Sequence, residues 1–285
     1  MNEKKCKVIF VTGASGMIGS QTVKGLLTAG YRVVGVDKKQ SAENHENYKH
    51  YTTDLVDCDM LKSIVAKNKV DRIVHLAALA HNNGSKPYSW AEYKCFNVDC
   101  AKNVFEAAGD IPVLFISTVD VYGFTKEIVC AETAVKPISD YAKSKVLAEA
   151  ECKRLPRYTI FRFSPVYTQT VKRDIQKRYY LKYPNIAYQI GAGGKYEVLN
   201  ICTAVEEIVN WCEKQPNNEI KIVKDSQRMD VVDYIQAERK AGRAKIVLKF
   251  PRRVIVFGYT LLKWLTGENK YTYLLNKAVY PLESE

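Results

Sequence analysis

Tyr141 and Lys145 stand four residues apart in the stretch PISDYAKSKVLAE, just after a proline and a Ser-Asp pair that read as a helix start. Residues at that spacing share one face of a helix. A tyrosyl hydroxyl titrates near pH ~10, too high for a good base near neutrality, and a neighbouring ammonium favours the phenolate and brings it toward working pH. Taken alone, a Y-x-x-x-K pair also suits an ordinary solvent-facing helix. Its meaning depends on the elements that would have to position it.

The N-terminal part supplies such elements. The apolar run KVIFVTG (Lys7–Gly13) reads as a buried strand, and MIGSQTVKGLLTAG (Met17–Gly30) has helical spacing with a terminal glycine. Between them Gly13, Gly16 and Gly19 form G-x-x-G-x-x-G. Gly13 permits a tight turn, Gly16 lets backbone approach a pyrophosphate, and Gly19 allows the helix to pack closely on the strand. The helix N-terminus then faces anionic phosphates. The next strand, YRVVGVD (Tyr31–Asp37), ends in Asp37, 18 residues after Gly19. An acidic side chain there accepts hydrogen bonds from ribose hydroxyls and favours NAD. Lys38 and Lys39 follow directly and could accommodate a 2′-phosphate, which keeps NADP open.

Further apolar strands are expected at Asp71–Ala78, Pro112–Thr118 and Arg157–Phe163, with helices at Trp90–Ala108 and Ser139–Arg154. Continuous apolar strands alternating with helices indicate a parallel sheet covered on both faces, an α/β, Rossmann-type doubly wound fold. After residue 164 the rhythm changes: a helix is expected at Thr203–Lys214, a short strand at Glu219–Val223 and a helix near Val231–Lys240. We therefore divide the chain into an NAD(P)-binding Rossmann domain (1–167) and a mainly substrate-binding C-terminal lobe interleaved with the core (168–285). The stretch FPRRVIVFGYTLLKWLTG is amphipathic and basic. It is read first as a helix packing the small lobe, with a position on a membrane surface as the alternative.

With these segments in order, the sequence resembles the extended short-chain dehydrogenase/reductase family, in its branch of nucleotide-sugar epimerases, dehydratases and 4-reductases. The resemblance runs nearly the whole length and is strongest from Lys7 to Tyr167. TGASGMIG is the cofactor loop (Gly13, Ser15, Gly16, Met17, Ile18, Gly19), and DLVD matches the segment whose Asp54 and Leu55 flank the adenine. HLAA matches the strand end along the cofactor (Leu76, Ala77, Ala78), and FNVDCAKNVFEAA places Asn97 on the nicotinamide side. ISTVDVYG carries the catalytic hydroxyl, here Thr118, and YAKSK supplies Tyr141 and Lys145. The resemblance implies that Lys145 also binds the nicotinamide ribose, that Thr118 orients the sugar oxygen toward Tyr141, and that hydride moves between the sugar carbon, C4, and the nicotinamide. Val166 completes the implied cofactor set. It also implies a homodimer through the helices Trp90–Ala108 and Ser139–Arg154, packed as a four-helix bundle.

The sequence departs from the family's patterns in places that bear on the reaction. Dehydratases that lose water from C6 read S-T-D-E-V-Y-G in the loop after the fifth strand. Here Val119 holds the first acidic position and Asp120 the second. A valine cannot protonate a leaving hydroxyl, which argues against 4,6-dehydration; Asp120 is either an active-site group or a turn residue. Pro165 replaces the usual Asn of R-x-x-N-V-Y-G-P. Lys172 and Arg173 could reach a diphosphate or be surface charge. His81, where substrate loops begin in this family, is either a substrate contact or a polar loop residue.

Composition excludes several classes. The 285 residues are 47% hydrophobic and 26% charged, ordinary for a soluble protein. No apolar run approaches the ~20 residues of a membrane span, and MNEKKCKVIF does not read as a signal peptide, so a cytoplasmic enzyme is expected. Eight scattered cysteines form no C-x-x-C and no Cys/His cluster with zinc spacing, so no metal is expected. The net charge of +12 comes without a nucleic-acid-binding signature. It is read as a solvated basic surface or as attraction for small polyanions such as nucleotides, with a nucleotide-diphosphate sugar as the expected substrate and no specific nucleic-acid partner. The readings that remain are a 4-epimerase, a net 4-dehydrogenase or 4-ketoreductase, and a non-catalytic NAD(P)-binding sensor or scaffold.

Overall fold

The computed structural model describes residues 7–80 and 87–285. They form two compact units that interleave along the chain. The first comprises Met1–Thr118, Asp140–Phe163 and Ile201–Val223, and the second Val119–Ser139, Ser164–Asn200 and Lys224–Glu285.

The first unit is built on β1 (Val8–Thr12), α1 (Met17–Thr28), β2 (Arg32–Asp37), β3 (Tyr48–Thr52), α2 (Cys58–Asn68) and β4 (Arg72–His75). It continues with α3 (Trp90–Tyr93), a π-helical segment (Lys94–Asp99), α4 (Cys100–Ala108), β5 (Val113–Thr118), α5 (Asp140–Cys152), β6 (Tyr158–Phe163), α6 (Ile201–Glu213) and β7 (Glu219–Val223). The seven strands form one sheet in the order β7-β6-β5-β4-β1-β2-β3, every pair parallel. This is the doubly wound order, reversing direction between β1 and β4, the position where such sheets open a crevice beyond the strand ends.

Continuous apolar strands result from helices on both faces. On one face Phe10, Val34, Ile73, Phe115 and Ile160 pack with Leu61, Ile64, Val104, Phe105 and Ala148 from α2, α4 and α5. On the other, α1 lies so close to α6 that a side chain at Gly25 would strike Val205. The helix expected over 90–108 carries a π-helical stretch at Lys94–Asp99, a local widening often found at functional sites. β3 and α2 are elements that periodicity did not reveal. Asp57, in the DLVD segment, caps α2 by accepting a bond from the Met60 N–H at 2.9 Å.

The second unit holds two short strand pairs and a three-stranded sheet in the order Ile246–Phe250, Ile186–Ile190, Tyr180–Lys182. Its core is rich in tyrosine: Tyr179, Tyr180 and Tyr196 pack with Ile175, Val198, Met229 and Ile235. Helices Val231–Lys240, Arg252–Thr266 and Lys270–Val279 complete it.

Candidate active site

β1 ends in a turn that only glycine satisfies. Gly13 has φ +69°, and a Cβ there would lie 2.9 Å from the Ala77 backbone nitrogen, so the loop sits directly on the strand end at Leu76–Ala77. The Gly16 N–H donates to the Gly13 carbonyl at 3.0 Å, closing the turn. A Cβ at Gly19 would overlap the Gly13 carbonyl oxygen. Gly16 caps α1 without a side chain, no acidic residue lies in the first turn, and Gly16 and Met17 are exposed, with Ile18 half-buried behind them. That open, positive helix end suits a pyrophosphate.

Asp37, at the end of β2, accepts from the Ser15 N–H at 3.1 Å and the Lys39 N–H at 3.0 Å. Ser15 donates its hydroxyl to the Lys39 carbonyl at 3.0 Å, which ties the glycine loop to the loop after β2. Lys38 pairs with Asp54 at 2.9 Å, and its ammonium sits 4.0 Å from the Phe96 ring centre. Of the two lysines that could meet a 2′-phosphate, Lys38 is thus paired with an acidic neighbour and Lys39 is exposed, while Asp37 stays at the strand end. Leu55 is buried, and its carbonyl accepts from Asn103 at 2.9 Å.

Asn97, in the π-helical stretch, is buried and fully used within the protein. Its oxygen accepts from the Leu79 N–H at 2.7 Å; its amide donates to the Leu79 carbonyl at 3.0 Å and to the Ser144 hydroxyl at 2.9 Å. It therefore fixes the segment after β4 to α5 one residue before Lys145.

Thr118 ends β5, and Tyr141 lies in the first turn of α5 with its ring 6.3 Å from that of Tyr93. Both are half-buried. Lys145, one turn on, is only 2% exposed, with its ammonium 4.0 Å from the centre of the Phe115 ring. Burial pulls its pKa down to about 7, partly opposed by the Glu149 carboxylate. His75, at the end of β4, is buried, and its Nδ1 lies 2.7 Å from the Thr12 hydroxyl. Burial, and then the Lys145 charge, lower its pKa to about 3, so the ring is neutral across the working range.

Beneath Lys145 lies an ion pair that motif reading missed. Arg162 donates to Glu149 at 2.7 and 3.1 Å with both side chains 3% exposed, and the Ser117 hydroxyl donates to the same carboxylate at 2.5 Å. The available signal was spacing: Glu149 stands four residues after Lys145 on the same face of α5, an acidic residue inside an otherwise apolar contact.

A test of the buried ammonium follows. Lys145 titrates near 10.4 when unfolded and about 7 when folded, so its charged form opposes folding. That cost is fully present below pH 7 and fades as pH rises from 7 toward 10.4. Lys145→Met is therefore expected to raise Tm most at pH 6, with the gain shrinking by pH 10, measured by calorimetry; a pH-independent difference would refute the burial cost.

Several candidates lie in the second unit. Asp120 is held there by an ion pair with Lys277 and accepts from the Tyr273 hydroxyl at 3.5 Å, both on the helix Lys270–Val279. It lines a small cavity together with Ser164, Arg178, Tyr196 and Glu197. Lys172 sits 6.0 Å from the Tyr234 ring centre, and Val166 belongs to a two-residue strand paired with Leu199–Asn200. Arg173 begins the short helix Arg173–Gln176. His81 lies outside the described residues. Among the described residues, no group of three His, Cys, Asp or Glu side chains is placed to hold a metal ion.

A Rossmann sheet with a glycine loop after its first strand, a threonine at the end of its fifth strand and a Tyr and Lys one turn apart on the helix that precedes its sixth defines an α/β protein of the nucleotide-binding type. Comparison makes the assignment narrower. A family profile described as NAD dependent epimerase/dehydratase family matches residues 9–210. The chain is 30% identical over 167 residues to UDP-glucose 4-epimerase 2 of Arabidopsis thaliana, covering 53% of this chain and 48% of that one. It is 29% identical over 281 residues to an uncharacterized protein of Methanocaldococcus jannaschii, covering 86% and 84%. Among solved structures, UDP-glucuronic acid 4-epimerase from Bacillus cereus, in complex with UDP-glucuronic acid and NAD, superposes with a TM-score of 0.69 at 22% identity over 86% of both chains. The chain belongs to the NAD dependent epimerase/dehydratase family. It spans about half the length of the plant epimerase that it matches.

Proposed function

We propose that the protein is an NAD-dependent nucleotide-sugar 4-epimerase working by transient oxidation at C4. The observation that carries this reading is that one unit holds the open glycine-loop helix end, Thr118 at the end of β5, and Tyr141 and a buried Lys145 one turn apart on α5. The cradle fits the cofactor: Gly13, Gly16 and Gly19 leave room where any Cβ would crowd the turn, and α1 presents its N–H groups. Asp37 for the ribose, and Lys38 already paired with Asp54, favour NAD over NADP. Bound there, NAD supplies a hydride acceptor and donor.

The chain's own residues do the remaining work. Thr118 hydrogen-bonds the sugar oxygen and orients it. Tyr141 takes the proton from the C4 hydroxyl as hydride leaves, and returns it when hydride comes back to the opposite face. Lys145 stabilises the phenolate by its charge and holds the ribose. Asn97 and His75 position the strand ends around it. Val119, where a dehydratase has the first of its two acids, counts against 4,6-dehydration. The relatives named as UDP-sugar 4-epimerases support the same reading. Homodimerisation through the helical segment 90–108 and α5 is part of the proposal, supported by Trp90 and Leu147, large apolar side chains exposed on those helices.

The test is to identify the nucleotide that purified protein carries and to incubate it with UDP-, dTDP- and GDP-sugars. Retained NAD with one sugar converted to its C4 epimer and no net NADH supports the epimerase. Stoichiometric NADH formation would replace it with a net dehydrogenase. Gly19→Ala is expected to weaken NAD binding about tenfold or more, because the loop must shift off the Gly13 carbonyl, as read by titration calorimetry; unchanged affinity would place NAD elsewhere.

A further inference from the structure

The helix Arg252–Thr266 is inverted relative to a helix packed on a globular core. Its packed face is narrow: Tyr259 is its one buried residue, with Ile255, Val256, Leu262 and Lys263 half-buried beside it. Val254, Phe257, Leu261, Trp264 and Leu265 follow one another at helical spacing along the opposite face, and all are exposed, Trp264 by 79% and Phe257 by 69%. A lone exposed apolar residue needs no account, but a continuous aromatic and aliphatic stripe does. The helix expected here is present and meets the lobe through its Tyr259 side, against Asn276 and Tyr280, while the apolar stripe faces out.

The surroundings say what covers it. Between positions 239 and 267 the chain has eight basic residues (Arg239, Lys240, Arg243, Lys245, Lys249, Arg252, Arg253 and Lys263) and no acidic one; the flanking Glu238 and Glu268 pair with Arg243 and Lys263, each at 2.7 Å, so the run keeps a large positive excess. Lys245, Lys249 and Arg253 are exposed, and the strand Ile246–Phe250 that leads into the helix exposes Ile246 and Leu248. A second copy would bring the same positive charge against itself. Anionic headgroups would neutralise it, and Trp and Phe beside Lys and Arg is the composition of a helix lying in a bilayer interface. Among the described residues no helix is long and apolar enough to cross a membrane.

We propose that the helix Arg252–Thr266 docks the protein on an anionic membrane surface, its apolar stripe in the acyl boundary and its basic flank on the headgroups. This is independent of the sugar chemistry proposed above. The test is co-sedimentation of the full chain with vesicles of phosphatidylcholine alone or with phosphatidylglycerol added. Binding is expected to need phosphatidylglycerol and to weaken as salt is raised. The double variant Phe257→Ser/Trp264→Ser is expected to lower partitioning about tenfold or more, since it removes two exposed side chains that a bilayer would bury. Lys249→Glu/Arg253→Glu is expected to abolish the preference for anionic vesicles. Both pairs are exposed, so an unchanged Tm verifies folding. Wild-type protein left in the supernatant, or a serine variant that binds equally well, overturns the proposal. So does self-association by analytical ultracentrifugation that the serine variant loses while vesicles bind neither, which would make the stripe a contact between copies.

Discussion

Tyr141→Phe is expected to lower kcat by about a hundredfold to ten-thousandfold, the usual contribution of a positioned general base, with NAD affinity and Tm close to wild type. The substitution removes one hydroxyl from a half-buried ring and leaves its packing against Tyr93 in place. If Tyr141 moves the proton only as hydride is transferred, the loss falls on kcat and kcat/KM together, with little change in KM. A raised KM at unchanged kcat would make the hydroxyl a binding group. Full turnover in the variant would remove the catalytic reading and leave a cofactor-binding scaffold.

The parts of the fold legible in the sequence are those where burial is two-sided. β1, β2, β4, β5 and β6 are continuous apolar runs because helices cover both faces, and the glycine spacing follows from the crowded turn at Gly13 and Gly19. β3 escaped notice because it is an edge strand: YKHYT is half-exposed, and its polar residues give no run to detect. The π-helical stretch was hidden because its sequence keeps an ordinary helical pattern; what marks it is where Asn97 points its amide, a tertiary fact. The same holds for the site. Thr118, Tyr141 and Lys145 carry a readable spacing, whereas the burial of Lys145 against Phe115 and the Glu149–Arg162 pair beneath it arise from the packing of α5 on β5 and β6, a tertiary fact that no motif spells out. In the second unit the elements are short and tyrosine-rich, so periodicity has little length in which to act, and Asp120 finds its partner Lys277 more than a hundred residues away.

That hidden pair gives the second large expected effect. Arg162→Ala would leave the Glu149 carboxylate buried without its guanidinium, a change that typically costs about 3–5 kcal/mol. Against a total stability of about 5–15 kcal/mol this is close to unfolding, and it corresponds to a Tm fall of roughly 6–20 °C for a chain of this size. The double variant Arg162→Met/Glu149→Gln removes both charges and is expected to recover most of the loss, because the penalty belongs to the uncompensated carboxylate rather than to the pair. A double variant as unstable as the single one would show that packing, not charge, holds this corner. The double variant also separates stability from chemistry. Glu149 is the main group that favours the charged form of Lys145. Without it the lysine loses its proton at lower pH, and a neutral lysine no longer stabilises the Tyr141 phenolate. A folded double variant is therefore expected to keep more of its activity at pH 6.5 than at pH 8, while the wild type falls less over the same interval. Parallel pH profiles would confine Glu149 and Arg162 to holding α5 on β6.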